Sequence, residues 1–238
     1  MAFDECAPGN STHSYARAAM ERTHRWAERS KKQWLKNNTL RKEQWLNEQA
    51  LFGIVQWVIF DDLRKESAKY IKELDTPGIS IGWLSVWESK EDMYRILDIM
   101  KQELPENKPR YLMGVGTPED LIEWIYRWVD MFDCVLPTRV WRHGKAFGTY
   151  GSINIKNEQF KLSDEALDSE CWCKVCKNYS RWYLRHLIRE DEMHGMSLLS
   201  YHNLAFLIEL CRKARVAISA WKYSQFRDDF WSKYPQNK

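Results

Sequence analysis

Alternating strand and helix patterns between Leu51 and Thr138 constrain the fold of this chain more than any other feature. Leu51 to Gln56 is a short apolar run rich in β-branched residues, Asp62 to Lys72 has a helical pattern, and Ile79 to Ile81 reads as the next strand. Such regular alternation is typical of a sheet of parallel strands with helical crossovers. The sequence therefore predicts an α/β architecture.

The alternation continues on both sides of this stretch. Apolar residues with helical spacing follow a Ser89 cap, at Met93, Ile96, Leu97 and Met100. The remaining predicted units are a strand from Tyr111 to Gly114, a helix starting at Thr117, a strand from Met131 to Leu136, and a strand from Ala2 to Cys6 followed by a helix from Tyr15 to Leu35. Periodicity does not distinguish a doubly wound sheet from a barrel, and five units cannot close an eight-stranded barrel.

Composition indicates a soluble cytosolic protein with no membrane partner. No run of eighteen apolar residues occurs, and the first residues lack the basic and apolar segments of a signal peptide. The net charge of +3 is too small to establish nucleic-acid binding. Nine Lys or Arg against three Glu between Arg17 and Glu43 suggest a basic helical face, and a solvated surface explains them more simply.

A cysteine cluster marks the start of a different region after about Phe160. Cys171, Cys173 and Cys176 form CxCxxC, and cysteines this closely spaced match the ligand demand of structural zinc. The fourth ligand stays open between His202, His186 and His194 on spacing alone. The sequence predicts one closed, structural Zn²⁺ site per chain.

Asp133 stands out because it interrupts the apolar run from Met131 to Leu136, where a carboxylate needs partners or a task. Arg139 and Arg142 follow at a spacing suited to phosphate or base edges, although a surface ion-pair cluster fits equally well. Likewise, Gly114 to Pro118 suits a phosphate before a helix, or an ordinary strand-to-helix turn. Structural buried aspartates are about as common as catalytic ones.

Taken together, these segments resemble the tRNA-guanine transglycosylases. The similar strings are Phe3 to Cys6, Phe52 to Gln56, Tyr111 to Gly116, Asp130 to Arg139, the CxCxxC, and His202-Asn203, in the order of the family. The resemblance covers essentially the whole chain. It implies strands four to eight of a (β/α)8 barrel in residues 1–160 and a zinc-binding subdomain with C-terminal helices in residues 161–238.

The resemblance also implies an activity, namely exchange of the wobble guanine of a tRNA anticodon for a 7-deazaguanine. Asp133 matches the nucleophile that attacks the ribose and forms a covalent intermediate. The bases would be bound by Asp4, Gln56, Gly82, Trp83 and Leu84. The RNA-contacting segments would comprise Gly114, Val115, Gly116, Thr117, Pro118, Glu119, Asp120, Thr138, Arg139, Val140, Trp141 and Arg142. The zinc ligands would be Cys171, Cys173, Cys176 and His202, which settles the choice of histidine.

Further implications concern substrate and assembly. Cys6 and Val86 are similar to the bacterial pattern, which favours an aminomethyl-deazaguanine precursor. Tyr179, Tyr183 and His186 match positions at the family's dimer contact, so a homodimer is expected. The family's N-terminal half, with a second aspartate as proton acceptor and an aromatic residue that stacks on the base, is expected to be missing from this chain, which should then be inactive as written.

Tryptophan is the main departure from the family, with thirteen copies against ten glycines. The family has glycine at five of these positions: Trp57, Trp83, Trp87, Trp124 and Trp128. We expect clashes there, and UGA codons read as tryptophan instead of glycine would explain them. A non-catalytic zinc-bearing tRNA-binding or partner subunit is the alternative function. A metal-dependent hydrolase fits poorly, because a Cys₃His zinc has no open coordination position.

Overall fold

The computed structural model describes residues 1–56, 60–82 and 89–234. These form two compact units. The first unit, called the sheet unit, comprises Met1–Val115 and Arg127–Asp133. The second, called the cysteine unit, comprises Gly116–Tyr126 and Cys134–Lys238. The domain boundary expected at residue 161 stays a prediction.

Four parallel strands form the sheet of the sheet unit. They are β1 (Phe52–Val55), β2 (Gly78–Ile81), β3 (Arg110–Leu112) and β4 (Met131–Phe132), hydrogen-bonded in that order. Val55 pairs with Ile81, Ile81 with Leu112, and Leu112 with Phe132, so the carboxyl ends of the strands lie at one edge. The predicted α/β architecture with a parallel sheet is confirmed.

Three long helices accompany these strands: α1 (His13–Glu43), α2 (Asp61–Leu74) and α3 (Lys90–Glu103). Thr12 caps α1 and Ser89 caps α3, each with a side-chain oxygen that accepts from a backbone N–H of the first turn. On α3 the buried residues are Met93, Ile96, Leu97 and Met100, as the spacing predicts. Their burial stabilises α3, since isolated helices of this length are marginal in water.

Two predicted strands were wrong in type or length. Ala2 to Cys6 forms no strand: the Ala2 N–H reaches the Phe52 carbonyl at 2.8 Å, but the Glu5 N–H donates to the Thr23 hydroxyl instead of a neighbouring strand. The strand predicted from Met131 to Leu136 ends at Phe132. Pro137 lacks an N–H, and the chain turns into the short helix α5 (Leu136–Arg139). Helix α1 also extends eight residues beyond its predicted end.

The cysteine unit is mainly helical. It contains α4 (Pro118–Tyr126), α5, α6 (Lys174–Asn178), α7 (Arg181–Arg189), α8 (Met193–Ser219) and α9 (Tyr223–Lys233), with an antiparallel pair β5 (Lys145–Ala146) and β6 (Ile153–Asn154). Short 3₁₀ turns cover Val140–His143 and Glu158–Phe160. Its core joins Ile155, Val175, Leu184 and Leu199, all nearly inaccessible to solvent. None of the helices in the described ranges combines the length and apolar character needed to cross a membrane.

Candidate metal centre and the carboxyl edge of the sheet

Cys171, Cys173, Cys176 and His202 converge in the cysteine unit. One ligand atom from each lies within 4.8 Å of every other. The His202 Nδ1 atom is 3.5 Å from the Cys173 sulfur and 3.3 Å from the Cys176 sulfur. A tetrahedral zinc with Zn–S near 2.3 Å and Zn–N near 2.0 Å requires S···N edges of about 3.5 Å. The cluster could therefore hold a metal ion, and its dimensions fit zinc.

Local structure positions each ligand. Cys173 is the N-cap of α6, and its sulfur accepts from the Cys176 N–H at 3.5 Å, which fixes the CxxC turn. His202 is fully buried in α8, and its Nε2 contacts the Phe147 carbonyl at 2.7 Å. That carbonyl requires a proton on Nε2, so in the neutral ring, the form that binds a metal ion, Nδ1 directs its lone pair toward the thiols. Next to it, Asn203 donates to the carbonyls of Pro137 and Lys145, both at 3.2 Å.

The thiols also perturb one another. Hydrogen bonds from Cys171 and Cys176 hold the pKa of the Cys173 thiol below its usual range. Burial lowers the pKa of His202, but bonds to Cys171 and Cys173 outweigh burial and raise that pKa to about 10. Hydrogen bonds with Cys171 and Cys173 raise the pKa of the Cys176 thiol in turn. The cluster thus favours one thiolate beside a protonated histidine, and a bound metal ion would displace the remaining protons. The competing histidines, His186 and His194, are exposed and lie outside the cluster.

The carboxyl edge of the sheet gathers the polar residues of the sheet unit. Gln56 directly follows β1, Gly82 follows β2, Gly114 lies two residues after β3, and Asp133 directly follows β4. Because the strands are parallel, these positions share one edge, where open α/β sheets and barrels bind their ligands. Residues from four separate segments of the chain thereby lie along one edge.

Asp133 is held by two donors on the same carboxylate oxygen. The Tyr111 hydroxyl donates to Oδ1 at 2.7 Å, and the Gly114 N–H donates to Oδ1 at 2.9 Å. Burial, followed by the bond to Asp133, raises the pKa of Tyr111 to about 12, so the phenol stays a donor. The carboxylate is exposed, in contrast to the burial suggested by its apolar neighbours in the sequence. The two donors therefore fix the orientation of a carboxylate that remains open to solvent.

Gln56 and Gly82 are in contact at this edge. Gln56 is 2% exposed, and a Cβ built on Gly82 would be 3.0 Å from the Gln56 Cγ. Glycine at 82 thus leaves the space that the glutamine side chain fills. Asp4 is partly buried, and burial raises the pKa of its carboxyl. Burial, and then the charge of Asp4, raises the pKa of the Cys6 thiol to about 11.

The predicted RNA-contacting segments divide between the units. Gly114 and Val115 belong to the sheet unit and the remaining ten residues to the cysteine unit. Thr117 begins α4, its hydroxyl accepting from the Asp120 N–H at 3.2 Å. Gly116 lies against Cys134 so closely that a Cβ would overlap the cysteine side chain. Arg139 ends α5, and Arg142 lies in the following 3₁₀ turn; both are exposed, as binding phosphate requires.

Two of the predicted base-binding residues, Trp83 and Leu84, lie outside the described residues, as do Trp57, Val86 and Trp87. Of the other tryptophans at expected glycine positions, Trp124 is fully buried within α4 and Trp128 is 44% exposed. The clash expected at Trp124 stays a prediction, since burial by itself does not test it. In the cysteine unit, the rings of Tyr179 and Tyr183 stack with centroids 5.7 Å apart, and the dimer expected there stays a prediction.

Sequence reasoning missed two residues at the carboxyl edge. The sequence predicts only a strand residue at Tyr111, although its hydroxyl holds Asp133. It predicts only a helical position at Arg64, yet this residue is fully buried and its Nη1 donates to the carbonyls of Gly82 at 3.1 Å and Val55 at 3.4 Å. An arginine on the apolar face of α2 was the available signal, because charged residues are rarely buried without partners.

Comparison with known proteins places the chain in a family. A profile described as queuine tRNA-ribosyltransferase matches residues 1–236. Three similar proteins bear that same name. The one from Herpetosiphon aurantiacus is 51% identical over 98% of this chain and 57% of its own length. Those from Enterococcus faecalis and Halothermothrix orenii are 48% and 49% identical over 100% and 98% of this chain, and each is covered over 60% of its length.

The chain thus spans between 57% and 60% of the length of these relatives. Its match to the family extends over both units and includes the cysteine cluster and the carboxyl edge of the sheet. The chain belongs to the queuine tRNA-ribosyltransferase family.

Proposed function

We propose that the protein carrying this chain replaces the wobble guanine of a tRNA anticodon with a 7-deazaguanine that is a queuosine precursor. The observation that carries this proposal is Asp133, which is exposed at the carboxyl edge of the sheet and held by Tyr111 and Gly114 in a chain of this family. We further propose that the four parallel strands belong to a (β/α)8 barrel and that the cysteine unit contains the zinc-binding subdomain of residues 161–238.

Asp133 acts as the nucleophile in this proposal. Both hydrogen bonds recorded for the carboxylate within the described residues reach Oδ1, which leaves Oδ2 to attack. Oδ2 forms a bond to the anomeric carbon of the ribose while the glycosidic C–N bond breaks, and guanine leaves with the electron pair and takes up a proton. The incoming base then displaces the carboxylate by the reverse step. Tyr111 orients the carboxylate for both displacements.

Gln56 and Gly82, with Asp4, form the base-binding part of the proposed site. Gln56 presents an amide donor and acceptor from a buried position, which suits the polar edge of a purine-like base. Since the pKa of the Asp4 carboxyl is raised by burial, a ligand with N–H donors would stabilise its ionised form. Trp83 and Leu84 are included among the base-binding residues only because they match positions of the family.

Zinc, when bound, would be coordinatively saturated by three thiolates and one imidazole and would therefore serve structure rather than catalysis. It would hold α6 to α8 through Cys173, Cys176 and His202. Exposed Arg139 and Arg142 would bind the phosphates or bases of the anticodon loop. We also propose a cytoplasmic homodimer with contacts at Tyr179, Tyr183 and His186.

A non-catalytic tRNA-binding or partner subunit is the second candidate. Trp83 favours it for the chain as written, because an indole replaces the glycine expected beside the base, and we propose that this sequence is inactive for that reason. A single variant distinguishes the two candidate functions. Trp83→Gly would restore exchange if the catalytic function holds, and would leave a binding subunit without activity.

Incorporation of labelled guanine into tRNA tests the proposal in the full-length protein. We expect incorporation with Trp83→Gly, none with Trp83→Gly combined with Asp133→Asn, and tRNA binding by both. Arg139→Ala and Arg142→Ala should weaken tRNA binding and reduce its salt dependence by about one unit of slope each. Binding without incorporation in every variant would favour the partner-subunit function.

A further inference from the structure

We propose that Arg64 is a positioning residue for the base-binding edge formed by Gln56 and Gly82. This proposal rests on the proposed function for the identity of the ligand, and on geometry for the role of the arginine. The β1–β2 ladder ends at the Val55–Ile81 pair and one further bond, from the Gly82 N–H to the Val55 carbonyl at 3.0 Å. Arg64 bonds the carbonyl of Val55, which belongs to that pair, and the carbonyl of Gly82, one residue beyond it.

The guanidinium thus continues the ladder at the point where the strands stop pairing. Its Nη1 spans both chain segments, with the Gly82 carbonyl on one side and the Val55 carbonyl on the other. Gln56 follows Val55 directly and packs against Gly82. The two N–H bonds of Nη1 have fixed directions in the plane of the guanidinium, whereas the ammonium of a lysine rotates freely and would not hold both directions. Arg64 thereby fixes the distance between the two backbone segments that flank the Gln56 side chain.

A fully buried cation is costly unless it is hydrogen-bonded, so a helix that needed only core packing would be better served by leucine or methionine here. The location of the groups that Arg64 bonds shows whether it serves its own helix or the binding edge. The carbonyls of Val55 and Gly82 that it bonds are main-chain groups of the edge, and neither lies within α2 itself. The arginine acts on the binding edge rather than on its own helix.

Arg64→Lys in the full-length protein that carries Trp83→Gly, with Arg95→Lys in the same protein as the control, tests this role. Arg95 forms surface ion pairs with Asp61 and Asp92 in the same unit. For Arg64→Lys we expect faster hydrogen exchange at the Gly82 N–H without a change at Ser80, about a tenfold rise in KM for guanine, and KM for tRNA within about twofold. Arg95→Lys should change none of these.

Unchanged exchange at Gly82, or an equal rise in KM for guanine and for tRNA, would overturn the positioning role. Hydrogen exchange needs no activity and reports on the edge whether or not the protein exchanges bases. A parent protein without base exchange would instead overturn the proposed function, so the two failures are distinguishable.

A second inference comes from backbone conformation and is independent of the first. We infer that residues 45, 128 and 221, written as tryptophan, are glycine in the natural polypeptide. Among the described residues, positive φ outside glycine occurs at Asp75, Asp191 and three tryptophans: Trp45 at 56°, Trp128 at 69° and Trp221 at 57°. Aspartate visits this left-handed region readily, but a bulky side chain rarely does.

Trp45 and Trp221 each occupy the helix-terminating position that favours glycine. After α1, the Leu46 N–H bonds the Arg41 carbonyl at 2.8 Å and the Trp45 N–H bonds the Lys42 carbonyl at 3.2 Å. After α8, the Lys222 N–H bonds the Ala217 carbonyl at 2.8 Å and the Trp221 N–H bonds the Ile218 carbonyl at 2.9 Å. Both pairs are the 6→1 and 5→2 bonds of a Schellman motif, whose left-handed residue is usually glycine.

The side chains at these two positions do no packing. Trp45 is 97% exposed and Trp221 is 96% exposed, so neither indole offsets the cost of its φ. Trp128 lies near Lys101 and Arg110, with the cations 5.4 and 5.8 Å from the ring centre, yet its φ is the most positive of the three. Trp45 and Trp221 also extend the set of positions expected from sequence similarity to glycine. One cause accounts for all of them, namely UGA codons that the source translates as glycine.

Peptide mass spectrometry of the natural protein decides this inference, together with the codons. We expect glycine at 45, 128 and 221 and UGA at each, with tryptophan and UGG at Trp231, whose indole donates to Glu123 at 2.8 Å. Trp45→Gly and Trp221→Gly in the sequence as written should each raise Tm by about 2–4 °C, whereas Trp231→Gly should lower it. Tryptophan in the natural peptides, or a lower Tm for both glycine variants, would overturn the inference.

Discussion

The cysteine cluster and the carboxyl edge of the sheet are built in opposite ways. In the cluster, three of four ligands come from six consecutive residues and point inward at a single centre. At the edge, Gln56, Gly82 and Asp133 come from three separate strands and are brought together only by parallel pairing. One site is specified by local residue spacing and the other by topology. A change in a ligand should therefore damage the fold, and a change at the edge should damage chemistry.

Of the changes that test this contrast, loss of one zinc ligand should have the largest effect on metal content and folding. Cys173→Ser should reduce bound zinc from about one per chain to a small fraction and unfold the cysteine unit, because metal binding of this kind contributes on the order of 10 kcal/mol to folding. Metal analysis and circular dichroism measure the two outcomes. Cys211→Ser, which changes a cysteine outside the cluster, is the control. Equal zinc in both variants would contradict the assignment.

Acid should reveal a second difference between the two regions. His24 is buried in the sheet unit, its ring stacked on Tyr70 with centroids 4.0 Å apart. Burial lowers the pKa of His24 from 6.5 to about 4. Between pH 6.5 and about 4, His24 is therefore protonated in the unfolded chain and neutral in the folded chain. The free energy of unfolding should fall as the pH drops from about 6.5 to about 4, by up to about 3 kcal/mol, and the His24 contribution should be constant below pH 4.

Urea denaturation across that pH range measures the effect, with zinc present throughout. His24→Gln should flatten the pH dependence of the sheet unit, whereas a chelator at neutral pH should unfold only the cysteine unit. A slope that is the same in His24→Gln and the parent protein would show that other groups carry the acid sensitivity.

Removal of the Tyr111 hydroxyl should have the smallest effect on the fold and a selective effect on the proposed reaction. A hydrogen bond to a carboxylate is worth about 1.5–3 kcal/mol. In the protein that carries Trp83→Gly, Tyr111→Phe should therefore lower kcat roughly ten- to a hundredfold with little change in KM for guanine. Tyr70→Phe removes a similar bond to Glu28, of 2.6 Å, elsewhere in the sheet unit and is the matched control. A loss of kcat of the same size in both variants would show that the effect is not specific to Asp133.

The contrast also explains what the sequence could predict. CxCxxC is a local pattern, and the structure brings its cysteines to His202. The helix from Ser89 and the strand at Ile79 followed from local capping and apolar runs. The contacts of Tyr111 and Arg64 were out of reach, because each joins residues from different strands and depends on register. The prediction of a strand from Ala2 to Cys6 was wrong, because a strand needs a hydrogen-bonding partner as well as a β-prone sequence. The Glu5 N–H donates to a side chain instead.

The tryptophans show what residue type alone cannot predict, namely the backbone conformation at each position. Similarity to the family predicts glycine at position 124, where the structure has a completely buried indole. It did not single out Trp45 or Trp221, because an exposed helix end has no packing signature in the sequence. Backbone φ identifies these positions directly.

The most direct test of the account is whether Asp133 forms a covalent bond to tRNA. The full-length protein with Trp83→Gly, incubated with tRNA and denatured before electrophoresis, should give an RNA adduct whose peptide map places the ribose on Asp133. With Asp133→Asn added, the adduct should disappear while tRNA binding stays within about severalfold of the parent, since the amide keeps the shape and loses the nucleophile. An adduct that persists with asparagine, or that maps to another residue, would contradict the account.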